Sequence, residues 1–261
     1  LTTTPGPPPG PTAVAEAVVA RVRSEGADAG LAVLPWDEDA LGLRARLALL
    51  HEHLGEPWPD MSDAALAERA EEWLAPAVTS LAGRAGGSHG VDGPGGAASG
   101  SGSRRFSLER LDVAQALRAL LPWPQAAHLD ELVPERIEVP SGSQVRVDYT
   151  AAVGGAAGAA GSVGSVGSAE AGQVGRPVLA VRVQECFGWA ATPRIVEGRV
   201  AVLLHLLSPA RRPVAVTDDL ASFWEQGYPQ VRAEMRGRYP KHAWPEDPWN
   251  APATRGTGRR R

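Results

Sequence analysis

The first half of the chain repeats its hydrophobic residues at the spacing of amphipathic helices. Four leucines do so most clearly, at intervals of four, three and four residues: Leu43, Leu47, Leu50 and Leu54. They share one face of a helix for which Asp37 or Asp39 is the predicted N-cap. Related patterns predict four further helices, which begin at Thr12, Ser62, Leu108 and His128. The segment 12–132 is therefore expected to be helical apart from one interruption.

The period changes to two beyond Arg136. Ile137 and Val139, and then Val145 and Val147, alternate with polar residues on both sides of a Pro-Ser-Gly-Ser turn, which indicates a β-hairpin. Strand is expected to resume over 177–186, and the apolar run at 198–207 is typical of a buried strand or a short buried helix.

Two helices are predicted after the last strands. Thr217 and Asp218 stand where the first would be capped, and Gly227 stands where it would stop. Pro229 occupies the first turn of the second helix, which continues through Met235. We therefore expect an α+β fold: an amino-terminal helical region packed beside a small, mostly antiparallel sheet with carboxy-terminal helices.

Low-complexity segments divide the chain. Glycine, alanine, serine and proline dominate three stretches that cannot bury enough apolar surface to become ordered. The predicted organisation is a disordered linker at 1–11, a helical region at 12–82, a disordered insert at 83–103, helices plus a first hairpin at 104–149, a second disordered insert at 150–175, the rest of the sheet-containing domain at 176–249, and a basic tail at 250–261.

Charge separates an acidic body from a basic end. The 261 residues carry a formal net charge of −4, and Lys241 is the only lysine among 26 basic residues. From Arg176 onward there are 14 basic and 8 acidic residues, whereas residues 1–175 contain 12 and 22. A basic end on an acidic body favours a partner that carries phosphate.

The sequence carries no sign of secretion or membrane insertion. No apolar run reaches the ~20 residues that a membrane span requires. The single cysteine, Cys186, cannot form an internal disulfide and lies in an apolar run, so we expect it in the core. These features predict a cytoplasmic location and no membrane partner. Because the first residue is Leu1, a fragment or a truncated reading frame is expected as well.

Motifs for nucleotide hydrolysis and metal binding are absent from the sequence. A P-loop ends in Gly-Lys-Ser or Gly-Lys-Thr, whereas Lys241 stands in Pro-Lys-His. The acidic run 37–39 precedes a helix, whose amino terminus acids stabilise. His51 and His53 are two residues apart on one helix and point to different faces. We therefore expect no catalytic residue, no metal ligand and no cofactor in this chain.

Basic side chains near the carboxyl end are the candidate functional residues. They flank a turn and the last predicted helix and comprise Arg211, Arg212, Arg232, Arg236, Arg238 and Lys241. Arginines interleaved with aromatic residues, here Tyr228, Tyr239 and Trp244, are typical of contact with single-stranded nucleic acid. Alternatively, the arginines pair with glutamates such as Glu234 and Glu246, and the tryptophans belong to the core. The chain would then be a protein-interaction or structural module that binds no nucleic acid.

Several segments resemble the carboxy-terminal domain of the HrpB family, whose members are ATP-dependent helicases of the DEAH-box group. They cover 134–149, 177–195, 198–224 and 227–249, and their most specific sequence motifs are LLHLLSPARRPV, LASFW and RGRYPKHAWPEDP. Upstream, LPWDEDALGLRARLALL, EEWLAP and ALRALLPW resemble the helical region that precedes that domain.

The resemblance implies a parent enzyme with two RecA-like motor domains, which use ATP and Mg²⁺, followed by winged-helix, helix-bundle and OB-like modules. This chain resembles only the part beyond the motor domains, so the family's ATPase activity cannot be assigned to any of its residues. The expected function is that of an accessory domain of an ATP-dependent RNA or DNA helicase. Its expected partners are the motor domains and single-stranded RNA or DNA.

Overall fold

A computed structural model describes residues 10–86, 106–150 and 176–257. The predicted disordered segments 1–11, 83–103 and 150–175 lie largely outside these ranges. The chain divides into two compact units, with the boundary between Ala126 and Ala127. One unit is helical and the other contains the strands, so the predicted α+β class is confirmed.

The amino-terminal unit consists of helices. They are α1 (Pro11–Ser24), α2 (Ala27–Ala32), α3 (Glu38–Leu54), α4 (Asp63–Glu68), α5 (Ala70–Gly86), α6 (Val113–Arg118) and α7 (Trp123–Ala126), with a 3₁₀ turn at Leu108–Arg110. The predicted leucine face of α3 is confirmed, because Leu43, Leu47 and Leu50 are buried. Trp73 of α5 is buried as well, and its indole N–H donates to the carbonyl of Leu66.

Side-chain caps explain where two of these helices begin. Asp37 accepts a hydrogen bond from the amide of Ala40 at 2.8 Å, and Ser62 opens α4 in the same way, as predicted. The prediction that Thr12 caps α1 is wrong. The helix begins at Pro11, whose ring fixes a helical φ and whose missing N–H is not needed in the first turn.

The carboxy-terminal unit is built around a five-stranded sheet. Its elements are α8 (Leu129–Leu132), β1 (Arg136–Glu138), β2 (Gln144–Asp148), β3 (Val178–Arg182), β4 (Arg194–Ile195), β5 (Val200–Ala201), β6 (Leu203–Leu207) and β7 (Pro213–Thr217). The spatial order is β1-β2-β3-β6-β7, and β4 pairs with β5 separately. Strands β3 and β6 run parallel, whereas the other neighbouring pairs are antiparallel.

Strand register gives the sheet one buried face. The predicted hairpin is confirmed, with Ile137 opposite Val145. Leu179 lies opposite Leu204, and two residues further along the same parallel strands Val181 lies opposite Leu206. The buried face forms because side chains alternate along each strand and the apolar set points one way.

A continuous helical segment follows β7. It consists of α9 (Leu220–Ser222), a π turn at Phe223–Gly227 and α10 (Tyr228–Arg238). The predicted stop at Gly227 is wrong, because this residue keeps helical angles (φ −88°, ψ −40°). A Cβ at Gly227 would come within 2.8 Å of the Phe223 ring, so glycine lets that ring pack against the backbone. The predicted cap is also displaced, since Asp219 accepts from the amide of Ser222.

Aromatic rings form the centre of this unit. Trp224 lies within 5.2–6.0 Å of the ring centroids of Phe187, Phe223 and Tyr228. Its indole N–H donates to the carbonyl of Trp189 at 2.9 Å. Tilted and edge-to-face contacts of this kind add to the gain from burying the rings.

Candidate nucleic-acid interface

The face of the sheet opposite the buried leucines is open and carries polar side chains. Arg136 lies opposite Arg146 across β1 and β2, and Ala180 lies opposite His205 across β3 and β6. The register of β2 and β3 continues this row from Arg146 to Ala180. Ala180 is small and exposed, so the middle of the row leaves room for a ligand between longer side chains.

An arginine-lined depression lies on this open face. It encloses about 470 Å³ and is lined by Arg136, Arg146, Arg182 and Arg211, and Glu185 is the only carboxylate among the described residues that line it. We call it the arginine depression. Four guanidinium groups against one carboxylate give it a positive potential that attracts anions.

Glu185 is buried beneath Arg182 in a 3₁₀ turn that follows β3. The residue is 6% exposed, and its carboxylate accepts hydrogen bonds from Ser143 Oγ at 2.7 Å, Arg182 Nε at 3.0 Å and Ser141 Oγ at 3.2 Å. Burial by itself would raise the pKa of Glu185, but the bonds from Arg182 and the two serines outweigh it, so the pKa is lowered. The carboxylate is therefore ionised at neutral pH and holds Arg182 by its Nε atom.

A later segment of the chain fixes the hairpin turn from which these serines come. Arg255 Nε donates to the carbonyl of Ser141 at 2.9 Å, and the amide of Thr254 donates to the carbonyl of Gln184 at 2.9 Å. Gly142 has a φ of 76°, and a Cβ there would approach Arg255 Nη2 to 2.8 Å. The turn thus needs glycine for its backbone angle, and the missing Cβ also leaves room for the end of the Arg255 side chain.

Arg211 reaches the depression from the turn between β6 and β7. Its amide donates to the carbonyl of Ser208 at 2.8 Å, and Ser208 in turn donates to the carbonyl of Arg212 at 2.8 Å. Arg211 has a φ of 59°, in the left-handed region that favours glycine. Within the described residues, its side chain makes no hydrogen bond or ion pair, although its backbone is strained.

Arg211 is the only one of the six predicted residues that lines the arginine depression. Arg232 is 24% exposed and turned inward, where Nε donates to the carbonyl of Trp244 and Nη2 donates to Glu246, each at 3.0 Å. The internal pairing expected under the alternative interpretation is therefore present for Arg232. This side chain joins α10 to the segment that follows it.

The other predicted residues are exposed. Arg238 approaches Glu234 to 4.0 Å on α10, a distance at which two exposed side chains interact weakly. Arg212, Arg236 and Lys241 point to solvent without an ion pair inside the described ranges. Their role in nucleic-acid contact stays a prediction.

The end of α10 lies within electrostatic range of the arginine depression. Burial lowers the pKa of His242, and the positive charge of Arg182 lowers it further. His242 and Arg182 therefore lie close enough to interact electrostatically.

Two of the three aromatic residues predicted beside the basic side chains do not offer free rings. Tyr228 and Trp244 are buried, and the hydroxyl of Tyr228 donates to the carbonyl of Pro245. Trp224 is buried as well, and the core position predicted for Cys186 is confirmed. Burial, with a smaller contribution from the charge of Glu185, raises the pKa of the Cys186 thiol far above its usual value.

Sequence reasoning missed three of the four arginines in the depression. Arg136 and Arg146 alternate with the buried residues of the hairpin, so the two-residue period already placed them on the polar face. Arg182 gives no such signal, because its place in the same depression as Arg211 depends on the parallel pairing of β3 with β6.

The described ranges contain neither a cluster of metal-ligating side chains nor a helix that could cross a membrane. No group of three or more histidine, cysteine or acidic side chains is arranged there to hold a metal ion. No helix among the described residues combines the length and apolar character that a membrane crossing requires.

Comparisons with known proteins agree on one family. The model of the HrpB family described as "ATP-dependent helicase C-terminal" matches residues 98–248. The ATP-dependent RNA helicase HrpB of Escherichia coli K12 is 38% identical over 231 residues, which cover 88% of this chain. A crystal structure of the E. coli DExH-box NTPase HrpB superposes with a TM-score of 0.71 at 35% identity over 96% of the chain. A second, of the E. coli DEAH/RHA helicase HrpB, gives 0.62 at 32% identity over 94%.

The chain is much shorter than these relatives. It spans 23% of the length of E. coli HrpB in the sequence comparison and 25% of each crystallised chain.

Proposed function

Because the chain belongs to the HrpB C-terminal family of ATP-dependent helicases, we propose that it is an accessory domain that contacts single-stranded nucleic acid. The observation that carries this proposal is the arginine depression on the open face of the sheet. ATP and Mg²⁺ would be used by motor domains elsewhere in the parent enzyme. This chain would hold the strand near them.

The shape and charge of the depression support a single strand as the ligand. Its volume of about 470 Å³ lies within the range of small-molecule sites, and it is open to solvent along the sheet. A single strand of nucleic acid can place one phosphate group at a time in a depression of this size. Phosphate contacts made by arginine are independent of base sequence, so we expect little sequence preference.

Salt dependence provides the direct test. If each of the four arginines forms one ion pair with the phosphate backbone, the logarithm of affinity should fall against the logarithm of salt concentration with a slope of about −2.8. Raising KCl from about 50 to about 200 mM should then weaken binding about 50-fold. The assay is fluorescence anisotropy of the full chain with a fluorescein-labelled oligouridine or oligothymidine about 20 nucleotides long.

Matched variants locate the contact. Replacing Arg136 and Arg146 together by glutamine should reduce the slope to about −1.4. The double variant of Arg21 and Arg69 changes the net charge equally in the other unit and should bind like the wild type. Absence of binding at low salt, or equal losses in both double variants, would overturn the proposal. The pair R236Q and R238Q tests whether α10 adds to the contact.

Docking on another protein domain is the second candidate function, and Trp123 supports it. This residue is 90% exposed and stands between two prolines in the helical unit. Large aromatic residues are common at the energetic centres of protein interfaces. We propose the motor domains of the parent enzyme as the partner. W123A should weaken association with a separately produced motor fragment of E. coli HrpB at least about tenfold, and unchanged association would refute this role.

A further inference from the structure

We propose that Arg182 and Arg211 form one defined phosphate subsite, and that Glu185 is the positioning residue that makes it specific. The inference rests on the proposed function and extends it, because it distinguishes a built site from a diffuse basic patch. In a diffuse patch only net charge matters. In a built site, the direction of a particular guanidinium group matters as well.

The hydrogen bonds of Glu185 fix one edge of Arg182 and leave the other edge available. The carboxylate accepts from Nε of Arg182, and within the described residues the two terminal nitrogens have no other partner. Ser141 and Ser143 both donate to the other carboxylate oxygen of Glu185, Oε1, so the carboxylate itself cannot rotate freely. An arginine held in this way presents two parallel N–H groups, which match two oxygens of a phosphate.

Arg211 supplies the second half of the subsite. It lines the same depression as Arg182 and extends from a turn fixed by two backbone hydrogen bonds. Two guanidinium groups from separate elements can contact different oxygens of one tetrahedral anion. The ligand class is therefore a phosphate group, either in the backbone of a single strand or as inorganic phosphate.

Replacing Glu185 by glutamine separates the two interpretations by the sign of the effect. The substitution removes a negative charge from the depression, so a diffuse patch predicts affinity higher by up to about fivefold in 0.1 M salt. A built subsite predicts affinity lower by about tenfold, because Arg182 loses its charged partner and its fixed direction. The probe is fluorescein-labelled oligouridine of about 20 nucleotides, measured with the full chain.

Glu138 provides the matched control. It lies on the same open face of the sheet, is exposed, and accepts a hydrogen bond from Gln144 at 3.0 Å without holding an arginine of the depression. E138Q removes the same charge and should leave affinity unchanged or slightly higher. Lower affinity in E185Q alongside unchanged or higher affinity in E138Q supports the subsite.

A charge-preserving substitution keeps the test valid if E185Q folds poorly. R182K retains the positive charge but loses the planar fork, so the subsite predicts a loss of about tenfold. R21K, in α1 of the helical unit, is its control and should not change affinity. Inorganic phosphate should compete with the oligonucleotide for the wild type more effectively than for R182K.

The outcomes separate this inference from the proposed function. If the wild type does not bind the oligonucleotide, both fail. If it binds, but E185Q binds more tightly and R182K equally well, the subsite is refuted while the nucleic-acid contact stands. Weaker binding by both variants, with both controls unaffected, establishes the subsite.

Discussion

Replacing Arg211 by glycine should stabilise the protein and weaken nucleic-acid binding at the same time. Arg211 has a φ of 59°, which an L-residue adopts at a cost of about 1–2 kcal/mol. Glycine removes this cost but loses about 0.5–1 kcal/mol through the greater freedom of its unfolded chain. The turn keeps its hydrogen bonds, because they are made by the backbone and by Ser208. The net gain should be about 0.5–1 kcal/mol in the free energy of unfolding, or roughly 1–4 °C in melting temperature.

The loss of binding follows from the lost charge. One phosphate contact fewer reduces the salt slope by about 0.7, which corresponds to about fivefold weaker affinity in 0.1 M salt. Thermal unfolding measured by circular dichroism gives the first quantity, and fluorescence anisotropy with labelled oligouridine gives the second.

Glu197 supplies the control for this substitution. It also has a left-handed backbone, with a φ of 55°, but it lies in the turn between β4 and β5 and does not line the arginine depression. E197G should therefore raise the melting temperature without weakening binding. A variant R211G that binds as tightly as the wild type would refute the role of Arg211. A lower melting temperature would refute the argument from backbone strain.

Three further measurements test the core and its charges. W224A should lower the free energy of unfolding by about 3–5 kcal/mol in urea titrations, because the ring is buried among three others, whereas W123A should change it by less than about 0.5 kcal/mol. Because the pKa of Glu185 is lowered in the folded state, its charge stabilises the fold above the unfolded pKa of 4.5, and the free energy of unfolding should decrease as the pH drops below that value. E185Q should show a smaller decrease over the same pH range. An equal decrease in E185Q and the wild type would contradict the assignment. Cys186 should react with Ellman's reagent only on unfolding, since its thiol is buried and its pKa raised; rapid reaction of the native chain would show that the site opens.

Local pattern was sufficient to predict much of the fold. The leucine spacing of α3 and the caps at Asp37 and Ser62 depend on neighbours within a few residues, and they are present as predicted. The hairpin of β1 and β2 follows from its alternating residues and its glycine turn. Such features are determined by residues that are close together in the sequence, so a single sequence is enough to predict them.

Features that depend on tertiary contacts were predicted less well. The helix was expected to stop at Gly227, but the glycine is used for packing against Phe223 inside a π turn. Arg232 has the sequence context of an exposed basic residue, but hydrogen bonds to the carbonyl of Trp244 and to Glu246 hold its side chain inward. The arginine depression combines β1, β2, β3 and the turn after β6, which no local pattern brings together.

The bond between Arg255 and Ser141 joins residues 114 positions apart. Contacts of such long sequence separation form late when a chain folds, because closing a long loop costs entropy before any contact compensates for it. The hairpin of β1 and β2 can form early from local contacts, but its turn is fixed only after residues 254 and 255 have formed their hydrogen bonds. We therefore expect refolding to proceed in two stages that different probes separate. Aromatic fluorescence should recover first, and the ability to bind oligouridine should return only in the slower stage.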